Sequence, residues 1–212
     1  MTEIISETGT PSERETGRLE AFSDGVFAIA ITLLALELKV PHFESGSEVT
    51  PAALASGLAR QWPSYFAFFT SFFTVLVMWV HHHAIFRLVW RSDVTLLFAN
   101  GFLLMLVTVV PFPTALVAEY LRTPAASAAC TFYAGFFVLV SIGFWVLLWA
   151  AFRKSVVNPH ASAAKIEHLR RSYRLGPPLY LAATVAGLFS PWLAMGICSA
   201  LWMVWAVTTR DD

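Results

Sequence analysis

Charged residues are scarce in this sequence. Of its 212 residues only 13% are charged, whereas 57% are hydrophobic, and the mean hydropathy is +0.64. Such a composition is typical of a membrane protein with several spans, and no polar stretch is long enough to fold as a soluble domain of its own. Lys plus Arg equals Asp plus Glu, at 14 each, so the net charge does not point to nucleic-acid binding.

Cysteine and the common catalytic motifs are also lacking. Cys130 and Cys198 lie in apolar runs without CxxC spacing, so we expect two buried thiols and no disulfide framework. The sequence has no GxSxG, no phosphate-binding loop, no HExxH and no paired carboxylates. We therefore expect a protein that is not an enzyme and that binds no cofactor or metal.

Six apolar segments predict an all-α, polytopic membrane protein with six transmembrane helices, at residues 20–39, 63–86, 94–118, 125–152, 174–190 and 192–208. The first 17 residues are polar, and we expect a disordered cytoplasmic tail over 1–17 and no signal peptide. The six-helix transmembrane part is then expected to cover 18–208, and 209–212 a short cytoplasmic C-terminus. Pro111 and Pro113 are expected to end or kink the third segment. Asn100, a lone amide in that segment, is expected to hydrogen-bond to another helix.

Basic residues predict the orientation of the chain. If the N-terminus is inside, only Lys39, Arg60 and Arg122 fall in outer connections, and the other eleven of the 14 basic residues fall in inner ones. Because cytoplasmic loops carry the excess of Lys and Arg, both termini should be cytoplasmic. We expect a multi-pass protein of the cell (inner) membrane.

The first apolar segment, RLEAFSDGVFAIAITLLALELKVP, contains Arg18, Ser23 and Asp24. Charges at membrane depth are costly and usually face protein or water. The run from Phe22 to Leu36 covers roughly 22 Å at ~1.5 Å per residue, which is short of the ~30 Å hydrocarbon core. Such a helix suits the interior of a membrane protein better than a lipid-facing position.

Plotted at 100° per residue, this segment has an aliphatic stripe at i, i+3, i+4 and i+7. The aliphatic stripe consists of Ile29, Thr32, Leu33 and Leu36, and Phe22 and Gly25 continue it towards the N-terminus. Asp24 lies about 120° from the stripe and should face a neighbouring helix. A buried helix with a structural ion pair is the simpler interpretation of this pattern and remains open here.

Three consecutive histidines occur in the second segment, WVHHHAIFRLVWRSD. Neighbouring positions are about 100° apart, so a metal site made by this helix alone is not expected, although one shared with another helix remains possible. His81 lies six residues before Arg87, and Asp24 lies six residues after Arg18, which places both about 9 Å from the same edge. Asp24 is therefore expected within reach of His81 or His82, unless the histidines only extend to the interface.

Three motifs follow one another along the chain. They are Arg18-x-x-x-Phe22-Ser23-Asp24, Trp79…His81-His82…Phe86-Arg87 and Pro111-Phe112-Pro113-Thr114…Glu119-Tyr120. With these motifs the chain resembles the prokaryotic TMEM175 family of potassium-permeable channels over roughly residues 18–208. The resemblance implies a homotetramer in the lipid bilayer whose first helices line a central pore, without the TVGYG filter of ordinary potassium channels. The permeating ions would be K⁺ and other monovalent cations.

Carried over residue by residue, the resemblance assigns the pore and gate to Ile29, Leu33 and Leu36, with Thr32 as the hydroxyl layer for selectivity. It also implies a structural network near the cytoplasmic side, made of Arg18, Phe22, Ser23 and Asp24 together with His81 or His82. His83 receives no role. An aliphatic ring would gate by excluding water, and without a ring of charges or carbonyls only modest selectivity over sodium is expected.

Two other classes of protein remain open. A proton-coupled secondary transporter could use Asp24 and the histidines of the second segment, although such folds usually show internal repeats and broken helices, which this sequence lacks. A membrane enzyme or metal-binding protein centred on His81 to His83 would need converging ligands or acids that the sequence does not show.

Overall fold

The structure is a computed structural model that describes residues 11–43 and 49–208. The described residues form nine α-helices and no β-strand, apart from an isolated bridge between Val89 and Val157. The helices are α1 (Pro11–Leu34), α2 (Pro51–Arg60), α3 (Trp62–Phe86), α4 (Val94–Val109), α5 (Pro111–Tyr120), α6 (Ala126–Ala151), α7 (Ala163–Arg174), α8 (Gly176–Phe189) and α9 (Pro191–Thr208). A 3₁₀ turn, Ala35–Glu37, extends α1. The predicted all-α class is confirmed.

Four stretches of the described chain are long and apolar enough to cross a membrane: Glu15–Glu37, Trp62–Phe86, Val94–Tyr120 and Ala126–Ala151. The shorter apolar helices α8 and α9 correspond to the fifth and sixth predicted segments. The chain is therefore a multi-pass helical membrane protein, and six apolar segments agree with the sequence prediction.

The predicted N-terminal tail is too long. Helix α1 begins at Pro11, so residues 11–17 are helical rather than disordered, and 1–10 lie outside the described residues. Glu15 accepts a hydrogen bond from the Ser92 hydroxyl at 3.1 Å, which joins this part of α1 to the α3–α4 connection. The C-terminal segment 209–212 also lies outside the described residues.

The prolines kink the third span without ending it. The α-helix breaks at Val110, and Pro111 opens α5, which continues to Tyr120. A proline has no N–H to donate, so the carbonyls one turn before it lose their usual partner. The Thr114 hydroxyl lies within hydrogen-bond distance of both the Val110 carbonyl, at 2.8 Å, and Ser71 Oγ, at 2.7 Å. These contacts hold the kink against α3.

Helices α6 and α1 differ in how much of their surface the subunit itself covers. Of the residues in the most apolar stretch of α6, 61% are buried, because α4, α5, α8 and α9 pack around it. In the corresponding stretch of α1 only 22% of the residues are buried, although the helix packs against α3, α4 and α5. Helix α6 is therefore the core of the subunit, and α1 lies at its edge with most of its surface uncovered.

Among the described glycines, Gly187 makes the closest approach to a neighbouring helix, where α8 meets α6. A Cβ atom on Gly187 would lie 2.5 Å from Thr131 Oγ1 and 3.0 Å from Thr131 Cα. Small residues allow such close approach between membrane helices. Gly187 is therefore required by the contact between the two backbones.

We expect Gly187→Ala to destabilise the subunit by about 1–3 kcal/mol, the usual cost of overpacking. Gly196→Ala in α9 is the matched control, because a Cβ there would meet nothing within 4 Å. Thermal unfolding in detergent, followed by size-exclusion chromatography, measures the difference. Equal unfolding midpoints for Gly187→Ala and the wild type would contradict this expectation, because they would show that the contact between α6 and α8 accommodates a methyl group without loss of stability.

Candidate functional site

Helix α1 has one face that packs inside the subunit. Ser23, Phe27, Ala30 and Leu34, spaced by four or three residues, are all buried. The Phe27 ring lies 5.3 Å from the His82 ring of α3. This spacing keeps the four side chains on one side of the helix, and they fix its rotation about its own axis.

The aliphatic stripe lies on the opposite face and is uncovered. Ile29 is 59% exposed, Leu33 39% and Leu36 70%, and Thr32 is exposed as well. The Thr32 hydroxyl donates to the Ile29 carbonyl at 2.8 Å, so its lone pairs remain available on the exposed side. The face that the helical plot separated from Asp24 is thus the face that the subunit leaves open.

A chain of buried hydrogen bonds joins α1 to α3 and α4. The Asn100 amide donates from Nδ2 to Ser23 Oγ at 2.9 Å, and its Oδ1 lies 2.8 Å from His82 Nε2. Ser23 donates in turn to the Leu19 carbonyl at 2.8 Å. Ser23, His82 and Asn100 are all fully buried. The expected helix–helix hydrogen bond of Asn100 is confirmed, and it is the centre of this network.

Asp24 has a different partner from the one expected. The Trp79 indole donates from Nε1 to Asp24 Oδ1 at 2.8 Å, whereas His82 lies near enough to interact electrostatically with Asp24 but hydrogen-bonds to Asn100. His81 faces the other way, with Nδ1 2.7 Å from the Tyr173 hydroxyl and Nε2 3.1 Å from the Trp205 carbonyl. The depth argument ignored rotation: His81 is two residues from Trp79 and so points to nearly the opposite side of α3.

His83, which the sequence left without a role, contacts Glu20. Its Nδ1 lies 2.7 Å from Glu20 Oε1, and its ring lies 6.2 Å from that of Trp79. Glu20 and Asp24 are one turn apart on α1, and His83 and Trp79 are one turn apart on the antiparallel α3. The sequence therefore contained a pattern that indicates this contact: two side chains spaced i, i+4 on one segment face two side chains with the same spacing on an antiparallel segment.

Arg18 and Phe22 are not brought into this network by the hydrogen bonds described above. Both side chains are exposed, and Phe22 lies at the end of the aliphatic stripe. Their expected place in a structural network near the cytoplasmic side stays a prediction.

Within the described residues, no group of three His, Cys, Asp or Glu side chains is placed to hold a metal ion. Cys130 and Cys198 are free thiols and are buried, as expected. The polar side chains of α1 and α3 whose hydrogen bonds are described above thus have their partners within the subunit, on these two helices and on their neighbours. The described residues therefore form a multi-pass helical membrane protein. Its first span is held by buried contacts on one face and is exposed along the aliphatic stripe.

Comparison with known proteins places this architecture in a family. The family model described as the endosomal/lysosomal potassium channel TMEM175 matches residues 18–111. A potassium channel of Chamaesiphon minutus is 50% identical over 202 residues, which are 94% of this chain and 98% of that protein. A potassium channel of Streptomyces collinus is 44% identical over 164 residues, 76% of this chain and 77% of that protein.

A solved structure agrees with the sequence matches. The crystal structure of a lysosomal potassium-selective channel TMEM175 homolog from Chamaesiphon minutus aligns with a TM-score of 0.83 and 48% identity, over 93% of this chain and 99% of that one. The chain belongs to the TMEM175 family of ion channels. It is therefore a channel-family protein and not an enzyme.

Proposed function

We propose that this protein is a potassium-permeable cation channel in which four copies of the chain surround one axial pore lined by the aliphatic stripe. The observation that carries the proposal is the stripe itself, because α1 is fixed by buried contacts on one face and left open on the other. The relatives named as potassium channels support K⁺ as the permeating ion. One copy of the pore motif per chain supports an assembly of several subunits.

Ile29 is proposed to form the narrowest ring of the pore. Its side chain is the β-branched hydrocarbon of the stripe and is exposed, and β-branched side chains are stiff at χ1. Four such side chains around an axis would exclude water and hence a hydrated ion. Leu33 and Leu36 would form further aliphatic rings towards the other end.

Thr32 is proposed to bear on ion selectivity. Its hydroxyl is the hydrogen-bonding side chain among Ile29, Thr32, Leu33 and Leu36, and it can offer an oxygen to a cation while donating to the Ile29 carbonyl. A ring of hydroxyls carries no fixed charge, so preference for K⁺ over Na⁺ should be modest.

The proposed orientation in the cell membrane has both termini in the cytoplasm. The pair between Lys39 and Glu119, at 3.2 Å, lies at the end of α1 opposite Glu20 and His83. The end nearer Glu20 also has Arg153, which binds Asp93, and the positive α7. The excess of basic residues at that end supports its cytoplasmic location.

Recording from purified protein in planar bilayers under a potassium/sodium gradient tests the function. We expect unitary currents whose reversal potential is shifted from zero towards the equilibrium potential of K⁺. Native mass spectrometry of the same protein should show a tetramer. Saturable flux driven by a pH gradient, without unitary currents, would instead support a proton-coupled transporter. A conducting monomer would contradict the axial pore.

A further inference from the structure

A groove lies between α6 and α7. None of its lining residues belongs to the aliphatic stripe of α1, and the groove has no part in the proposed pore. It has a volume of about 430 Å³ and is lined by Trp145, Val146, Leu148, Trp149, Arg170 and Arg174. This volume falls within the roughly 300–1,000 Å³ of ordinary small-molecule sites. One wall is apolar and aromatic, and the other presents two arginines. The groove therefore suits an amphipathic anion.

The apolar wall belongs to a membrane span. Trp145 and Trp149 are one turn apart near the C-terminal end of α6, and they are 54% and 62% exposed. The span runs to Ala151, so Trp149 lies close to the membrane–water boundary and Trp145 one turn deeper. Exposed tryptophans at such a boundary contact both acyl chains and headgroups.

The positive wall is held in place. Arg170 donates from Nη2 to the Phe152 carbonyl at 3.4 Å, and its guanidinium lies 5.9 Å from the Phe152 ring. Arg174 follows one turn later on the same side of α7. Arg153, which stacks over Trp149 at 5.6 Å, already binds Asp93. The acidic residue of α7, Glu167, is exposed and does not line the groove.

We propose that this groove binds the headgroup of an anionic phospholipid from the leaflet that surrounds this end of α6. Arg170 and Arg174 bind the phosphate through charge-assisted hydrogen bonds, for which the guanidinium fork is suited. The acyl chains extend along Trp149 and Trp145 into the leaflet. The commitment to a lipid, and not to a soluble phosphate, rests on the exposed tryptophans of the span, which a soluble anion would leave uncovered.

Native mass spectrometry of the purified assembly, titrated with phosphatidylglycerol or with phosphatidylcholine of the same chains, tests the proposal. We expect wild-type protein to bind phosphatidylglycerol in preference, and Arg170→Gln/Arg174→Gln to bind it about tenfold more weakly or worse, since each basic residue near an anionic surface contributes strongly to binding. Binding of phosphatidylcholine should change little.

Lys154→Gln/Arg171→Gln is the matched control, because it removes the same charge from exposed residues nearby that do not line the groove. It should keep the wild-type preference, and so should wild-type protein in excess inorganic phosphate. Equal losses in the two double variants would overturn the proposal by showing a diffuse charge effect. Displacement of the lipid by inorganic phosphate would also overturn the proposal, in favour of a soluble anion. Loss of the tetramer in Arg170→Gln/Arg174→Gln alone would overturn it in favour of a contact between subunits.

Discussion

Replacing Ile29 by alanine is expected to raise the potassium current through each channel several-fold. The change removes the stiff branched side chain at the proposed constriction, so the ring widens and water can enter it. Asparagine at the same position should act in the same direction, because its amide is hydrated. Single-channel conductance in planar bilayers measures the effect independently of expression.

Two further variants separate the stripe from the rest of the helix. Thr32→Ala should lower the preference for K⁺ over Na⁺ with a smaller change in current, because it removes only the proposed hydroxyl layer. Ile31→Val should change neither quantity, because Ile31 is half-buried and packs against the subunit core. If Ile31→Val alters permeation as much as Ile29→Ala does, the stripe does not face the pore.

Replacing Asn100 by leucine is expected to destabilise the contact of α1 with α3 and α4. It leaves the Ser23 hydroxyl without its donor and removes the partner of His82 Nε2, while His82 Nδ1 has no hydrogen-bond partner among the described residues. An unsatisfied buried polar group costs about 1–3 kcal/mol, although hydrogen bonds between membrane helices average nearer ~0.6 kcal/mol. We expect a loss of about 1–3 kcal/mol, seen as a lower thermal midpoint and a lower yield of assembled protein.

Thr108→Val is the control on the same helix. The Thr108 hydroxyl is exposed and donates to the Met105 carbonyl of its own helix at 2.7 Å, so its loss should leave the midpoint nearly unchanged. Protein that survives Asn100→Leu should keep wild-type ion selectivity, since Asn100 lies away from the stripe. A wild-type midpoint for Asn100→Leu would show that the network does not hold α1 in place.

Helical periodicity separated the aliphatic stripe of α1 from Asp24, and the family resemblance assigned that stripe to the open side of the helix. The stripe at Ile29 and Leu33 is uncovered, and Phe27 and Leu34 on the other face are buried. The prolines in the third segment were also informative, since the missing N–H acts locally. The partner of Asp24 could not be found in the same way, because depth in the membrane gives the level of a residue but not the direction in which it points.

Contacts between distant segments were beyond the reach of the sequence patterns. Nothing in the sequence near Gly187 indicates that Thr131 approaches it, because that contact depends on how α6 and α8 cross. The contact between Glu20 and His83 could in principle be predicted, because Glu20 lies one turn from Asp24 and His83 lies one turn from Trp79. Recognising the pair required the knowledge that α1 and α3 are antiparallel neighbours in contact.

Modification of introduced cysteines by a water-soluble, positively charged thiol reagent tests the axial pore most directly. The native Cys130 and Cys198 are buried, which keeps the background low. The account predicts that the reagent blocks the current of Leu33→Cys and Leu36→Cys, and leaves Leu139→Cys, an exposed position on α6, unaffected. Full currents from Leu33→Cys and Leu36→Cys after treatment, or equal block of Leu139→Cys, would contradict it.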